Sequence, residues 1–441
     1  MNKKTENKAV SPWQWVPSLY FAQGIPYVVV MSVAVILFKR MGMSNTDIAL
    51  YTSGLNLPWV IKPLWSPLVD LLKTKRWWIV VMQILVGAGL AGIALTIQGP
   101  LAFRYCLAFM WLLAFSSATH DIAADGFYML GLNEKKQAYF VGIRNTFYRF
   151  AVIFGQGILV MFAGWLEQRY AREMPETAAI PQAWSLTFYL LTILFALLFV
   201  YHYLFLPHPR RDTCTLPPQQ ASAGRVFKEF LGTFTSFFQK KHIVSALIFI
   251  LLYRFAEAQL VKITSPFLLD TPATGGLALS TAEVGFIYGT IGVIALTIGG
   301  IVGGIAMARR GLKSCLWTMT IAMNLPNIVY LYLSFARPES IGIISGCVAI
   351  EQFGYGFGFT SLTYFKMLFS NGKHQTAHYA ICTGFMALGL MLPGMISGWI
   401  EESIGYRAFF VWIMLCTIPS FWATHLVRKN LTDNHSDNSS R

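Results

Sequence analysis

Twelve predominantly apolar stretches, each close to the length needed to cross a hydrocarbon layer, follow one another through this chain with polar gaps between them. A layer of about 30 Å takes about 20 helical residues. Within it each segment must satisfy its own backbone N–H and C=O groups, so such stretches fold as helices. They run over 12–38, 47–71, 77–98, 102–130, 137–165, 184–206, 243–269, 281–308, 313–335, 341–369, 374–400 and 405–427. Short alternating strands, the mark of a membrane barrel, do not occur. Composition agrees. The 441 residues are 12% charged and 55% hydrophobic, where a soluble domain carries about 25% charged residues. The predicted fold class is an all-α membrane protein with twelve helices.

Basic residues alternate between gaps, and this sets the orientation. One set of gaps holds Lys73, Lys75, Arg76, Lys135, Lys136, Arg210, Arg211, Arg225, Lys228, Lys240, Lys241, Arg309, Arg310, Lys313, Lys366 and Lys373. The other holds fewer, among them Lys39, Arg40, Arg104, Arg169, Arg172, Arg337 and Arg407. The first set belongs inside, so both termini are predicted to be cytoplasmic. The formal charge of +14 then reflects topology, and nucleic acid is not an expected partner. Five of the six cysteines lie in or near apolar runs, and only Cys214 sits in a polar loop. Neither a disulfide framework nor a metal centre is expected. The first apolar run reads as a retained span rather than a cleaved leader.

The longest internal polar gap, 207–242, divides the chain into a first half, 1–206, and a second, 243–441, of six spans each. A weak echo relates them. "MSNTDIALYTSG" opens the second span and "LSTAEVGFIYGT" the eighth, each with a serine three residues before an acid: Ser44 and Asp47, Ser280 and Glu283. That spacing suits a helix N-cap.

Ionisable groups inside spans are costly, and their default reading is functional. "SSATHDIAADGFYML" places Asp121 and Asp125 one turn apart on one helical face. They either cap a helix end or carry protons, Asp125 in a poorly hydrated cleft being the stronger candidate. Span five contributes Arg144, a partner for either acid and a structural or gating candidate, then Arg149 facing a cavity and Gln156 on nearly the same face. In span seven Arg254 and Glu257 share a face, with Tyr253 and Gln259 as lining groups and Lys262 snorkelling outwards. Span ten brings Glu351 and Gln352, then Gly354, Gly356 and Gly358, which either bend the helix or admit a close neighbour. Lys366 is expected at the inner surface. Span two has Lys62 between prolines, and Asp70 near Lys73, Lys75 and Arg76 as a latch or a plain helix-end ion pair. The proton-coupling candidates are therefore Asp125, Asp121, Glu257 and Glu351. The substrate-binding candidates are Arg149, Arg254, Tyr253, Gln352, Lys62 and Gln156. No nucleotide loop, metal-ligand cluster or nucleophilic triad occurs in the sequence, which argues against ATP-driven transport and enzymatic chemistry. No cofactor is expected.

"DIAADGFYML" followed by "FVGIRNTFYRFAVIFGQG", together with "YFAQGIPY" and "MSNTDIALYTSGLNLPWVIKPLWSPLVD", resembles the AmpG muropeptide permeases and the wider acetyl-CoA transporter group of the major facilitator superfamily. The resemblance is densest over 18–165. It implies a proton-driven permease of the bacterial inner membrane with two six-helix halves. Such a permease imports anhydro-muropeptides from cell-wall turnover by alternating access. Its partners would be a sugar-peptide or another anionic solute, protons and membrane lipids, and it would function as a monomer. Within the family pattern Asp125 is the foremost transport residue, with Asp121 beside it. Arg144 falls on the arginine of a Gly-Tyr-Arg string that reads Gly142-Ile143-Arg144 here, and the Glu-Arg-Gly before it reads Glu134-Lys135-Lys136. These departures bear on substrate. The alternative solutes are another anionic metabolite, a siderophore or a drug-like compound.

Overall fold

The computed structural model describes residues 11–209, 212, 232, 234–371 and 375–439. All regular structure among them is helical. Helix α1 (Pro12–Val28) passes through a π-helical turn at Val29–Val33 into α2 (Ala34–Arg40). Then come α3 (Asn45–Gly54), α4 (Leu57–Leu72), α5 (Lys75–Thr96), α6 (Ala102–Gly131) and α7 (Glu134–Val152). A second π-helical turn, Ile153–Ile158, leads to α8 (Leu159–Tyr170), followed by α9 (Glu176–Phe205). The later helices are α10 (Ile243–Leu252), α11 (Phe255–Leu269), α12 (Val293–Asn324), α13 (Ile328–Ala336), α14 (Ile341–Ser370), α15 (Gln375–Leu415) and α16 (Ile418–Ser439). Among the described residues, 8 stretches are long and apolar enough to cross a membrane. The chain is thus an all-α, multi-pass membrane protein. The two longest stretches, of 56 and 54 residues, are interrupted where Gly311 and Gly405 adopt φ of 72° and 75°. Only glycine takes that conformation without strain.

Helix α9 shows the lipid-facing logic. Leu186, Tyr189, Leu190, Ile193, Leu197, Val200 and Leu204 are exposed at three- and four-residue spacing, while Ser185, Thr187 and His202 point inwards and are buried. In water this polarity would be reversed.

The described parts of the chain pack as two compact units. One is drawn from Met1–Val28, Trp65–Phe154 and Ser185–Ala221, the other from Val29–Leu64, Gly155–Trp184 and Ser222–Arg441. The first has a core of Trp15, Val16, Leu19, Ile79, Phe127 and Leu206. The second is built around Phe237, Phe249, Tyr253, Leu316, Met319 and Phe365. In the second unit α12 and α14 approach closely through small residues. A Cβ on Gly356 would collide with the carbonyl of Leu296, and one on Gly299 with that of Phe353. The glycines of span ten therefore serve close packing.

Both serine–acid strings are N-caps, as their spacing predicts. Ser44 Oγ accepts from the Asp47 amide at 3.0 Å. Ser280 and Glu283 form a complete capping box. Span seven departs from expectation: it is broken at Arg254, whose φ and ψ are −107° and 21°.

Candidate functional site

In the first unit, Asp125 and Tyr128 lie three residues apart on α6 and so share a face. They meet Tyr20 of α1 and Arg144 of α7. Tyr20 Oη donates to Asp125 Oδ1 at 3.0 Å. Arg144 Nη1 donates to Tyr20 Oη at 2.9 Å and lies 3.4 Å from Asp125 Oδ1. The guanidinium also stacks near two rings, 4.8 Å from the centroid of Tyr20 and 5.1 Å from that of Tyr128. This is the predicted pairing of Arg144 with an acid of the α6 motif. The poorly hydrated cleft is not what is found: the Asp125 side chain is 43% exposed and that of Arg144 27%. Half-buried charges pair weakly enough to exchange partners, because water screens them. Asp121 and Arg149 are half-buried, and both lie within electrostatic range of Tyr148.

Sequence reasoning missed a second network in this unit. Gln83 of α5 lies 3.2 Å from His120 Nε2 and 2.9 Å from His202 Nδ1, and His202 Nε2 lies 3.0 Å from Ser18 Oγ. These hydrogen bonds tie α5, α6, α9 and α1 together in the interior. The signals were two ionisable residues in apolar runs, His120 in 102–130 and His202 at the end of 184–206.

In the second unit the break at Arg254 brings its guanidinium onto two neighbours. Nε and Nη2 lie 2.9 and 2.8 Å from Glu257 Oε2, and Nη2 donates to Tyr355 Oη at 2.7 Å. The rings of Tyr355 and Phe359 lie beneath the cation at 5.2 and 5.0 Å. A buried arginine must keep its charge, and Glu257 supplies the counter-charge. Glu351 is 2% exposed. It accepts from Tyr330 at 3.2 Å and from Gln352 Nε2 at 2.9 Å, so its hydrogen-bond partners are neutral donors. Tyr253 is fully buried, and its hydroxyl is taken up by Gly358 O and Ser361 Oγ. Gln259 is likewise buried, against Trp412 and Cys416. Gln156 is buried in the second π-helical turn and Lys62 half-buried on α4.

Two lysines overturn their expected positions. Lys262 does not snorkel and Lys366 is not at a surface: each is 2% exposed. Helix facing decides this, and hydropathy does not report it.

A further cluster, which the sequence did not single out, ties α2 and α3 to α11 and α15 within the second unit. Lys39 Nζ lies 2.7 Å from Asp270 Oδ1. Tyr406 Oη donates to Asp270 Oδ2 at 2.5 Å, and Asn45 Nδ2 donates to Glu401 Oε2 at 2.6 Å. Close by in sequence, Arg40 Nε reaches Glu167 Oε2 at 3.1 Å, and Glu167 also accepts from Trp184 and Thr281.

Arg76 serves as a helix-end staple. Its guanidinium donates to the carbonyls of Tyr203 and, at 3.3 Å, Leu206, while its amide donates to Asp212 at 3.1 Å. The side chain of Asp70, the latch candidate, lies outside the described residues.

An all-helical, multi-pass protein with charged residues paired inside its helix packing is built as a membrane transport protein. Among the described residues no group of three potential metal ligands occurs. The chain belongs to the Major Facilitator Superfamily, whose family model matches residues 18–375, and it is a secondary transporter of that superfamily. It is 25% identical over 415 residues to a putative transporter, AmpG 4, of Rickettsia conorii, covering 92% of this chain and 93% of that one. It is 24% identical over 420 residues to the anhydromuropeptide permease of Escherichia coli, covering 94% of this chain and 79% of the relative. The resemblance to AmpG proteins thus extends over most of the chain. Among solved structures, the fold is similar to a POT-family transporter bound to a thioalcohol-conjugated peptide (TM-score 0.70, 10% identity, 94% and 95% of the two chains). It is also similar to a D-xylose–proton symporter (TM-score 0.69, 12% identity, 94% and 96%).

Proposed function

We propose that this protein is a proton-coupled permease of the bacterial inner membrane that imports anhydro-muropeptides or related cell-wall sugar-peptides. The observation that carries this reading is the Asp125–Arg144 pair bridged by Tyr20. It is a water-reachable carboxylate with a fixed cation, set in the sequence motif that resembles the AmpG group. Likeness to relatives named AmpG supports the substrate class.

Alternating access would run between halves 1–206 and 243–441, joined by 207–242, with six crossings each and both termini inside. The two longest apolar stretches, at 56 and 54 residues, each have the length for two crossings. With α14 and the α3–α4 segment these supply twelve. Asp125 carries the proton, with Asp121, Glu257 and Glu351 as further proton sites. Arg149, Arg254, Gln352, Lys62 and Gln156 contact the solute; Tyr253, fully buried with its hydroxyl on Gly358 and Ser361, does not. Arg144 and Arg76 are the structural or gating groups, Arg144 through its pair with Asp125 and Arg76 at a helix end. Protonation of Asp125 neutralises the partner of Arg144 and so biases one opening over the other, which is the differential interaction a coupled transition needs.

The test is uptake in proteoliposomes under an imposed inward proton gradient. Labelled anhydro-muropeptide should accumulate and the accumulation should collapse with a protonophore. Gradient-driven uptake of another anionic metabolite, a siderophore or a drug-like compound, with none of the muropeptide, would replace the substrate assignment.

A further inference from the structure

Lys366 stands on α14 near its cytoplasmic-predicted end, yet it is 2% exposed. Its ammonium donates to Met386 Sδ at 3.0 Å and lies 5.5 Å from the ring centroid of Tyr379, both on α15. Among the described residues no carboxylate lies within ion-pair distance of it. A thioether is a weak acceptor, and a buried ammonium without a counter-charge is strongly disfavoured.

The surrounding charges sharpen the point. Glu257 neutralises Arg254 directly and lies within electrostatic range of Lys262 and Glu351. Lys366 has no such acid beside it among the described residues: the charged group within its own range is another cation, Arg254. Tyr355, Phe359 and Lys366 fall four and seven residues apart, on one stripe of α14. The first two carry the guanidinium of Arg254. Lys366 continues that stripe about 10 Å beyond Phe359, at 1.5 Å per residue.

We propose that Lys366 is an anion-binding position of the transport pathway, which together with Arg254 receives a carboxylate or phosphate group of the solute along the α14 stripe. This deepens the transport reading above and rests on it. The solute anion displaces Met386 Sδ, a flexible and weakly held group, and supplies the charge the ammonium lacks. Tyr355 and Phe359 beside Arg254, and Tyr379 beside Lys366, offer ring surface for a sugar or an apolar peptide side chain.

The experiment compares uptake of anhydro-muramyl tripeptide with that of its fully amidated form, and of glucose 6-phosphate with glucose. Wild type, Lys366→Met and Lys366→Arg are each reconstituted at matched folded protein. The expected result is preference for the acid over the amide in wild type. In Lys366→Met, KM for the acid rises about tenfold, the scale of one lost charge-assisted contact. Lys366→Arg stays within about threefold of wild type, because it keeps the charge. An unchanged KM for the acid in Lys366→Met overturns the proposal. Measurable but equal uptake of acid and amide by wild type overturns it as well, even where neither variant folds. Lack of muropeptide uptake beside Lys366-dependent uptake of the sugar phosphate sinks the substrate assignment alone and supports the anion position. If wild type prefers neither anionic solute over its neutral counterpart, the anion position is overturned.

Discussion

Tyr20 Oη donates a hydrogen bond to Asp125 Oδ1 at 3.0 Å, joining residues 105 positions apart. The same oxygen accepts from Arg144 at 2.9 Å. One phenol therefore links the acid to the arginine and joins three helices, α1, α6 and α7.

Replacing Asp125 with asparagine keeps the shape and removes the charge. Proton-driven uptake should fall by at least about tenfold, the equivalent of about 1.4 kcal/mol, with insertion and thermal stability retained. Uptake in vesicles with and without a pH gradient measures this. Gradient-dependent uptake equal to wild type would make Asp125 a helix-end residue only.

Tyr20→Phe removes the bridging hydroxyl and leaves the ring under Arg144. The hydroxyl bridges a pair that is also in direct contact at 3.4 Å, so its removal should cost about 1 kcal/mol net and lower uptake about fivefold, while the cation–ring contact remains. A loss as large as that of Asp125→Asn would assign Tyr20 a direct part in proton transfer.

Glu257→Gln leaves a buried guanidinium without its counter-charge. Breaking such a pair from one side costs about 3–5 kcal/mol, and folded yield in detergent should fall sharply. The double variant Arg254→Gln/Glu257→Gln should regain most of that stability while losing uptake. A double variant no more stable than the single one would show that the two charges are not energetically coupled.

Gly356→Leu drives a side chain into the Leu296 backbone. Overpacking costs about 1–3 kcal/mol even in forgiving cores, so the melting temperature should fall whether or not solute is present. Unchanged melting would mean that α12 and α14 do not depend on this contact.

Asp270→Asn weakens the Lys39–Asp270 pair, which has side chains only 14% and 18% exposed. If this pair locks α2 to α11 on the outer side, a cysteine placed at Thr46 should react faster with a membrane-impermeant thiol reagent in the variant. Equal labelling rates would remove the lock.

Two of the charge pairs were legible in the sequence. Asp125, Arg144, Arg254 and Glu257 announced themselves because ionised groups in apolar runs are rare, and spacing set Arg254 beside Glu257. The caps at Ser44 and Ser280 were legible because a cap is a local hydrogen bond. Tyr20 was not: tyrosine is ordinary in an apolar run, and its importance comes from two partners far away in sequence. Lys262 and Lys366 were misplaced for a related reason. Both lie near predicted span ends, where snorkelling is the common outcome, and hydropathy carries no information about which way a helix turns.

The sequence by itself determined that this chain crosses a membrane many times as helices, because segment length, apolarity and backbone satisfaction are local properties. It also determined which few residues carry charge into the apolar region. Tertiary structure alone decided the partners: Tyr20 for Asp125, neutral donors for Glu351, a thioether for Lys366. The physical reason is that a counter-charge or hydrogen bond is a contact between distant segments, fixed only when helices choose their facing and depth.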